Sequence, residues 1–173
     1  MNSKLNSVFI FSALIFLSLN SIAQCKFDKE EKDPFSGEMN RSFVTGIGKF
    51  GWNWKMEIGQ KGKNKYFGLT IKWNGKFEDV MEKGRKIMLK LENNKILELA
   101  LNNDYPGTYV TGEGYITSIY YPQCDLSEEQ LSELSKSPIA LLKASIGGKD
   151  QLPDISTKSG KQVMAIAKCL MGK

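Results

Sequence analysis

Apolar and polar residues alternate with a period of two along much of the chain. Such alternation predicts strands that bury one face and expose the other, as in an antiparallel sheet. The alternating segments are residues 52–58, 67–73, 87–91 and 97–101. A further segment, 108–121, is dense in β-forming residues and predicts a long strand that Gly112 and Gly114 break or bulge.

The segment LENNKIL predicts a hairpin whose register depends on its loop. A two-residue turn at Asn93-Asn94 places Leu89 opposite Glu98, whereas a three-residue loop over 93–95 keeps all apolar residues on one face. We therefore predict the three-residue loop, with a positive φ at Lys95. The register it implies pairs Leu91 with Leu97, Leu89 with Leu99, and Ile87 with Leu101. The charged connection before this hairpin, 74–86, is compatible with a short helical turn.

Two helices are predicted towards the C-terminus. Ser127 and Gln130 form a capping box for a short helix over about 127–136, which Pro138 ends. A final amphipathic helix is indicated by apolar residues spaced i, i+3, i+4 and i+7, namely Val163, Ile166, Ala167 and Leu170. Between the helices, 139–146 predicts a buried strand followed by a Gly147-Gly148 turn. This order predicts an α+β fold, an antiparallel sheet of about six to eight strands with both helices packed on it.

The N-terminus has the order of charged, apolar and small residues found in secretory signals. Lys4 precedes the apolar run 8–19, and Ser21 and Ala23 are the small residues. The run is shorter than the roughly 20 residues that span a bilayer. We therefore expect a signal peptide over 1–23, no transmembrane segment after its removal, and a single domain over 24–173. The protein is then expected to be exported, to the periplasm or the cell exterior.

Three cysteines follow the predicted cleavage point, and export permits a disulfide between two of them. We favour Cys25–Cys169, because the ends of a domain often lie close together, with Cys25–Cys124 as the other option. A lipid anchor on Cys25 is disfavoured, because lipoprotein signals place a small residue where Gln24 stands. Cys124 as a nucleophile would need a general base, usually histidine, and the sequence has none.

The composition argues against several function classes. The net charge is +5 and the lysines are scattered, whereas nucleic-acid binders concentrate them, so we expect no nucleic-acid partner. Without histidine, Ser-His and Cys-His catalysis and histidine-containing zinc sites are excluded. The pattern Gly46-x-Gly48-x-x-Gly51 matches a dinucleotide fingerprint, but a strand pattern follows it, so we predict a turn or bulge. Lys158-Ser159-Gly160 is interpreted as the start of the last helix. No cofactor and no metal are expected.

Aromatic residues and carboxylates supply the remaining candidates for a site. Tyr66, Trp52 and Trp73 are the candidate residues for stacking on a ligand such as a glycan. The tryptophans share faces with aliphatic residues, which favours a core role, whereas Tyr66 lies on the opposite face and is expected to be exposed. Some of Tyr109, Tyr115, Tyr120 and Tyr121 are expected to be exposed as well. The neighbouring acids that could form a catalytic pair are Glu78 and Asp79 with Glu82, and Asp150 with Asp154.

Two segments resemble small secreted proteins of Gram-negative bacteria. In KDPFSGEMNRS, residues 32–42, an Asp-x-Phe-[Ser/Thr]-Gly turn leads into the first strand, as in those proteins. YYPQCDLSEEQLSELSKSPIALLKAS is similar to their later part, where a tyrosine-rich strand precedes a capped helix and another strand. The group has no assigned activity, so the resemblance implies no functional residues.

Three functional hypotheses follow from these observations. The first is a non-catalytic exported domain that binds through its surface, with an envelope protein or a glycan as partner. The second is a carbohydrate-binding module that uses exposed aromatic rings. The third is a hydrolase with a pair of carboxylates.

Overall fold

The computed structural model describes residues 25–48, 54–112 and 114–172. The strands in these ranges are β1 (Lys29–Lys32), β2 (Met39–Ile47), β3 (Trp54–Lys61), β4 (Asn64–Asn74), β5 (Val80–Met81), β6 (Lys86–Leu91), β7 (Ile96–Ala100), β8 (Tyr105–Pro106), β9 (Thr108–Gly112), β10 (Tyr115–Tyr120), β11 (Gln123–Asp125), β12 (Ile139–Ile146) and β13 (Lys149–Gln151). The helices are α1 (Glu128–Lys136) and α2 (Thr157–Leu170). The predicted signal peptide, 1–23, lies outside the described residues.

The strands form two principal antiparallel sheets. A seven-stranded sheet has the order β1-β2-β3-β4-β10-β9, and β11 pairs with β4 beyond the end of β10. A four-stranded sheet has the order β13-β12-β6-β7, and β5 pairs with β8. A bridge between Leu101 and Cys124 joins the two larger sheets edge to edge. The predicted α+β fold is confirmed, although there are more strands than expected because several are only two to four residues long.

Helix α2 packs against both sheets and encloses the core. It contacts β2 and β3 on one side, β12 on the other, and α1. The predicted face is confirmed, since Val163, Ile166, Ala167 and Leu170 are buried. The helix approaches β12 so closely that a Cβ at Gly160 would lie 2.3 Å from the Ile139 carbonyl oxygen. The core is therefore the space between the curled sheets and this helix.

Helix α1 begins as its sequence predicts. The Ser127 side chain accepts from the Gln130 N–H (3.1 Å), and the Gln130 side chain accepts from the Ser127 N–H (2.9 Å). Leu131 and Leu134 are buried beneath it. These short-range signals are reliable because a cap satisfies backbone groups that the first turn leaves without partners.

The predicted register of the LENNKIL hairpin is wrong by two residues. The structure pairs Leu89 with Leu97 and Ile87 with Leu99, across a three-residue loop over 92–94. The residue with positive φ is Asn94 (66°), not Lys95, because asparagine adopts the left-handed region at lower cost. A shift of two residues preserves which side of the strand each residue faces, so the predicted buried face is nevertheless correct.

Two further segments differ from their predictions. The single strand expected over 108–121 is a hairpin of β9 and β10, with Gly114 at φ 79°, because a glycine there lets the chain reverse. The helical turn suggested for 74–86 is absent, and the segment contains β5, which pairs with β8.

The glycine pattern lies at the end of a strand. Gly46 belongs to β2 and Gly48 follows it with φ 88°, while 49–53, including Gly51 and Trp52, lies outside the described residues. Ser159, in the first turn of α2, donates from its hydroxyl to the Gly46 carbonyl oxygen (2.9 Å). The Lys158-Ser159-Gly160 segment is thus the start of the last helix, as predicted.

Cys25 and Cys169 lie at disulfide distance, with their Cα atoms 5.8 Å apart. The bond links the segment before β1 to the last turn of α2 across 144 residues of sequence. This is the favoured pairing of the three cysteines, and Cys124 remains a free thiol in the core.

Candidate functional site

The expectation that Tyr66 is exposed is wrong. Its side chain lies on the face of β4 opposite the main core, yet it is only 6% exposed. The ring lies across Gly59 of β3, where a Cβ would come within 2.8 Å of the hydroxyl oxygen. Glycine at position 59 therefore opens a slot that buries the ring, which a period-two pattern cannot reveal.

Tyr66 anchors a polar cluster in a cleft of about 440 Å³. Its hydroxyl donates to Glu57 Oε1 (2.6 Å), and the Lys61 Nζ lies 5.2 Å from the ring centroid. Arg41 donates beside it to Gln60 Oε1 (3.1 Å). Burial, together with the hydrogen bond to Glu57, raises the pKa of Tyr66, so the phenol stays protonated and donating. The cluster leaves little of the ring face open to a ligand.

The other candidate stacking residues do not join Tyr66. Trp73 is half-buried, with its ring edge against Phe77 at a centroid distance of 5.6 Å. Trp52 lies outside the described residues. Among the tyrosines that were candidates for exposure, Tyr109, Tyr115 and Tyr121 are exposed and Tyr120 is fully buried. Tyr66 and Trp73, the two candidate stacking residues that the structure describes, are therefore not brought together.

The β9–β10 hairpin carries the largest group of exposed apolar side chains in the described ranges. Every residue of β9 is exposed. Val110 is 48% exposed and Tyr115 is 60% exposed, and Tyr109 and Ile116 are also exposed. Between Tyr105 and Cys124 the sequence has a single charged residue, Glu113, although 25% of all residues are charged. We call the exposed part of this hairpin, residues 108–112 and 115–116, the hairpin surface.

The two faces of the hairpin surface differ. The register pairs Val110 with Thr117 and Gly112 with Tyr115 on one face, and Thr111 with Ile116 and Tyr109 with Ser118 on the other. The Tyr115 ring covers Gly112, where a Cβ would lie 2.3 Å from the ring. Tyr109 and Tyr115 therefore point to opposite sides and do not form one stacking platform.

The backbone of β9 presents hydrogen-bonding groups to the free edge of the sheet. The Ile116 carbonyl accepts from the Gly75 N–H (2.8 Å) on the β4 side, so the Thr111–Ile116 pair is not a hydrogen-bonded pair. The Ile119 carbonyl instead faces β9, where it accepts from the Thr108 hydroxyl (3.1 Å). Because the pairs alternate, the N–H and C=O groups of Tyr109 and Thr111 point away from β10. No strand of the described residues pairs with this side of β9.

The hairpin is joined to the rest of the protein by the pairing of β10 with β4 and by hydrogen bonds to the segment around Phe77. Phe77 O accepts from the hydroxyls of Tyr109 (2.6 Å) and Tyr120 (3.2 Å). The fully buried Ser118 accepts from the Phe77 N–H (3.0 Å) and donates to Gly75 O (2.7 Å). These bonds fix the base of the hairpin, while the outer edge of β9 has no strand neighbour among the described residues.

Three of the five carboxylates proposed for catalytic pairs, Glu78, Asp79 and Asp150, form ion pairs. Asp79 accepts from Arg85 (2.9 Å) and from the Gly147 N–H (2.8 Å). Glu78 pairs with Lys76 (2.7 Å), and Asp150 pairs with Lys143 (2.6 Å). In the described ranges no group of three or more metal-ligating side chains is close enough to hold an ion.

Cys124 is fully buried, and burial raises the pKa of its thiol to about 12, with a further contribution from Asp125. The thiol is therefore protonated at physiological pH and has little nucleophilic character.

No helix of the described residues is long and apolar enough to cross a bilayer.

Sequence reasoning missed Val110 and Ile116 and the open edge of β9. One signal was available, the nearly uncharged run from Tyr105 to Cys124 in a chain of which 25% of the residues are charged. The position of β9 at the edge could not be predicted from the sequence, because it depends on which strands pair.

Comparisons with protein-family models, with curated proteins and with solved structures gave no match.

Proposed function

We propose that this protein is an exported, non-catalytic binding domain that acts through the hairpin surface. The observation that carries the proposal is an edge strand, β9, that has no charged residue and exposes every one of its side chains, in a protein of which 25% of the residues are charged. Open edges of this kind bind other strands readily, and soluble proteins usually protect them. An edge left open on a base fixed by hydrogen bonds is therefore best explained by a partner that covers it.

Two features support export. The N-terminal order of charged, apolar and small residues is typical of a secretory signal, and disulfides persist in oxidising compartments. A Cys25 sulfur bonded to Cys169 is not available for the thioether of a lipid anchor, which favours secretion without lipidation.

The ionisation state of the candidate carboxylates favours binding over hydrolysis. Hydrolases of the two-carboxylate type need one acid with a raised pKa and one ionised partner. Here Asp79, Glu78 and Asp150 each bind a cation, and the pKa of each is lowered, so all are ionised together. This is the state expected of structural ion pairs.

The proposal is tested by site-specific photo-cross-linking in cells that produce the protein. A photoreactive residue is placed at Val110 or Tyr115 on the hairpin surface, and at Glu30 on β1 as the matched control on the opposite edge of the sheet. We expect discrete adducts from the hairpin positions and none from Glu30. Equal labelling from both edges, or no adduct from the hairpin, would contradict a specific binding role for the hairpin surface.

A glycan array distinguishes the carbohydrate-binding alternative. We expect no glycan to bind and no change in tryptophan fluorescence on adding sugars, because Tyr66 is buried and Trp73 packs against Phe77. A glycan that binds and quenches the fluorescence of Trp54 or Trp73 would replace the proposal with a carbohydrate-binding module.

A further inference from the structure

We infer that the partner of β9 is a second copy of this chain, paired antiparallel with its own β9 across a two-fold axis. This inference rests on the binding function proposed above and names the partner. Three properties of β9 support it: the positions of its free hydrogen-bonding groups, its side chains and its lack of charge.

The free hydrogen-bonding groups of β9 are self-complementary, so those of one copy can pair with those of another. They belong to Tyr109 and Thr111, one residue on either side of Val110. In a two-fold antiparallel pair centred on Val110, Tyr109 of each copy lies opposite Thr111 of the other. Residues opposite each other in a hydrogen-bonded pair exchange both N–H···O bonds, so this register satisfies all the free groups of both residues. Centring the axis on Tyr109 or Thr111 instead would leave some of them unpaired.

The side chains match in the same register. Val110 meets Val110 in a pair without hydrogen bonds, where side chains approach most closely. Tyr109 meets Thr111, and pairs of aromatic with β-branched residues stabilise sheets. Tyr115 shares the face of Val110, so its exposed ring extends the apolar contact. The seven-stranded sheets of both copies would then be continuous.

Charge favours self-pairing at β9 and opposes it at the other edge. The protein has a formal charge of +5, but β9 has no charged residue, so two copies can meet there without repulsion between like charges. On β1, KEEK, an antiparallel pair that includes all four residues puts Lys29 opposite Lys32 and Glu30 opposite Glu31 of the other copy. Like charges directly opposite each other destabilise a sheet.

Sedimentation equilibrium of the purified protein, with its Cys25–Cys169 disulfide intact, tests the inference. We expect the mass to rise with concentration towards that of a dimer. Val110→Lys places two lysines face to face and should raise the dissociation constant about tenfold or more. Val44→Lys makes the same change at an exposed position of β2, where β3 pairs on one side and the Asp28 carboxylate accepts from the Val44 N–H (2.7 Å) on the other, and should leave the dissociation constant unchanged.

A wild-type protein that stays monomeric at millimolar concentration would overturn the inference. So would Val44→Lys weakening association as much as Val110→Lys does. Circular dichroism of each variant establishes that it is folded before its association is interpreted.

Cysteine trapping tests the register, and it does not require the folded protein to accept a lysine at position 110. In the proposed pair the two Val110 Cα atoms lie about 4.5 Å apart, within the range for a disulfide. Val110→Cys should therefore form a covalent dimer on mild oxidation, while Val44→Cys should stay monomeric. The native Cys124 does not interfere, because it is buried and protonated. A failure of Val110→Cys to trap faster than Val44→Cys would show that the two-fold register is wrong.

The photo-cross-linking experiment separates failure of this inference from failure of the proposed function. Adducts at Val110 with the mass of two chains support self-pairing. Adducts with a different protein, together with a monomeric purified protein, overturn self-pairing and leave the binding function standing. No adduct, together with a monomer, overturns both.

Discussion

The seven-stranded sheet ends in two edges of opposite chemistry. β1 consists of four charged residues, KEEK, with an ion pair between Lys29 and Glu31 (2.8 Å). β9 consists of TYVTG and has no charge. Both strands are fully exposed, and neither has a second hydrogen-bonded neighbour among the described residues. They therefore occupy equivalent positions in the sheet, and only their side chains distinguish them.

The difference between β1 and β9 shows how the side chains of an edge strand oppose or permit pairing with a further strand. Charged residues on an edge strand oppose pairing with another strand, because association would have to desolvate them or oppose like charges. β1 is protected in this way and is also linked by the nearby disulfide to α2. β9 has no charged residues; it is held by its pairing with β10 and by the hydrogen bond from the Tyr109 hydroxyl to Phe77 O. This contrast is the basis for proposing β9 as the binding edge.

The largest loss of stability is expected from removing the disulfide that links the segment before β1 to α2. The double variant Cys25→Ser/Cys169→Ser should lower the free energy of unfolding by about 4–5 kcal/mol, since the bond closes a very long loop in the unfolded chain. Urea unfolding, followed by circular dichroism, measures the loss. Reducing agent should destabilise the wild type to a similar extent and have no effect on the variant. A loss below about 1 kcal/mol would mean that the link does not restrain the unfolded chain.

A matched pair of glycines compares how tightly the two halves of the sheet are packed. At Gly59 an added Cβ would lie 2.5 Å from the Arg41 carbonyl oxygen, which belongs to the backbone of β2. Gly59→Ala should therefore cost about 2–3 kcal/mol of unfolding free energy. At Gly112 the Cβ would meet only the exposed ring of Tyr115, which can swing into solvent, so Gly112→Ala should change stability by less than about 1 kcal/mol. Equal losses in urea unfolding would contradict this difference in packing.

Acid should weaken the contacts of Asp79, which lies two residues after Phe77, the residue that accepts hydrogen bonds from the β9–β10 hairpin. Partial burial by itself opposes ionisation of Asp79, but the hydrogen bonds from Arg85 and the Gly147 N–H outweigh it and lower the pKa of the carboxyl below its ordinary value of 3.8. The folded state thus favours the ionised form. Its contribution, about 1 kcal/mol for a partly exposed pair, is complete at neutral pH and is lost as the pH falls through 3.8 and then the lowered pKa. Asp79→Asn should remove this part of the pH dependence.

The measurement for Asp79 is the free energy of unfolding at several pH values between neutrality and the acid range. The variant should be less stable than the wild type at neutral pH, and the difference should shrink as the pH falls. A constant difference over this range would show that the carboxyl does not have the lowered pKa.

The smallest effect on stability is expected from making β1 resemble β9. Lys29→Thr together with Glu31→Thr leaves the net charge unchanged and removes an exposed ion pair, which should change the unfolding free energy by less than about 0.5 kcal/mol. Self-association, measured by light scattering, should nevertheless increase, because the edge loses its charges. Lys86→Thr with Glu98→Thr removes a comparable exposed pair between β6 and β7 and serves as the control. Association that rises equally in both variants would contradict a role for edge charge.

The sequence by itself determined the local elements and the inward faces of the strands. The capping box at Ser127 and Gln130 and the apolar spacing of the last helix predicted α1 and α2, because these signals act between residues a few positions apart. Period-two alternation predicted the buried face of the LENNKIL hairpin even though the register was wrong by two residues. The Cys25–Cys169 pairing followed from the expected proximity of the chain ends.

The tertiary structure decided what depends on contacts between distant strands. It placed Gly59 opposite Tyr66 and so buried a ring that its own strand pattern exposes. It also made β9 an edge, because β10 pairs with β4 on one side and with β9 on the other. Alternation along a strand records only which face is buried, whereas the neighbours of a strand are chosen by hydrogen bonding and packing across the whole sheet. The candidate binding edge is for that reason a property of the fold, and the sequence contributes to it only its uncharged side chains.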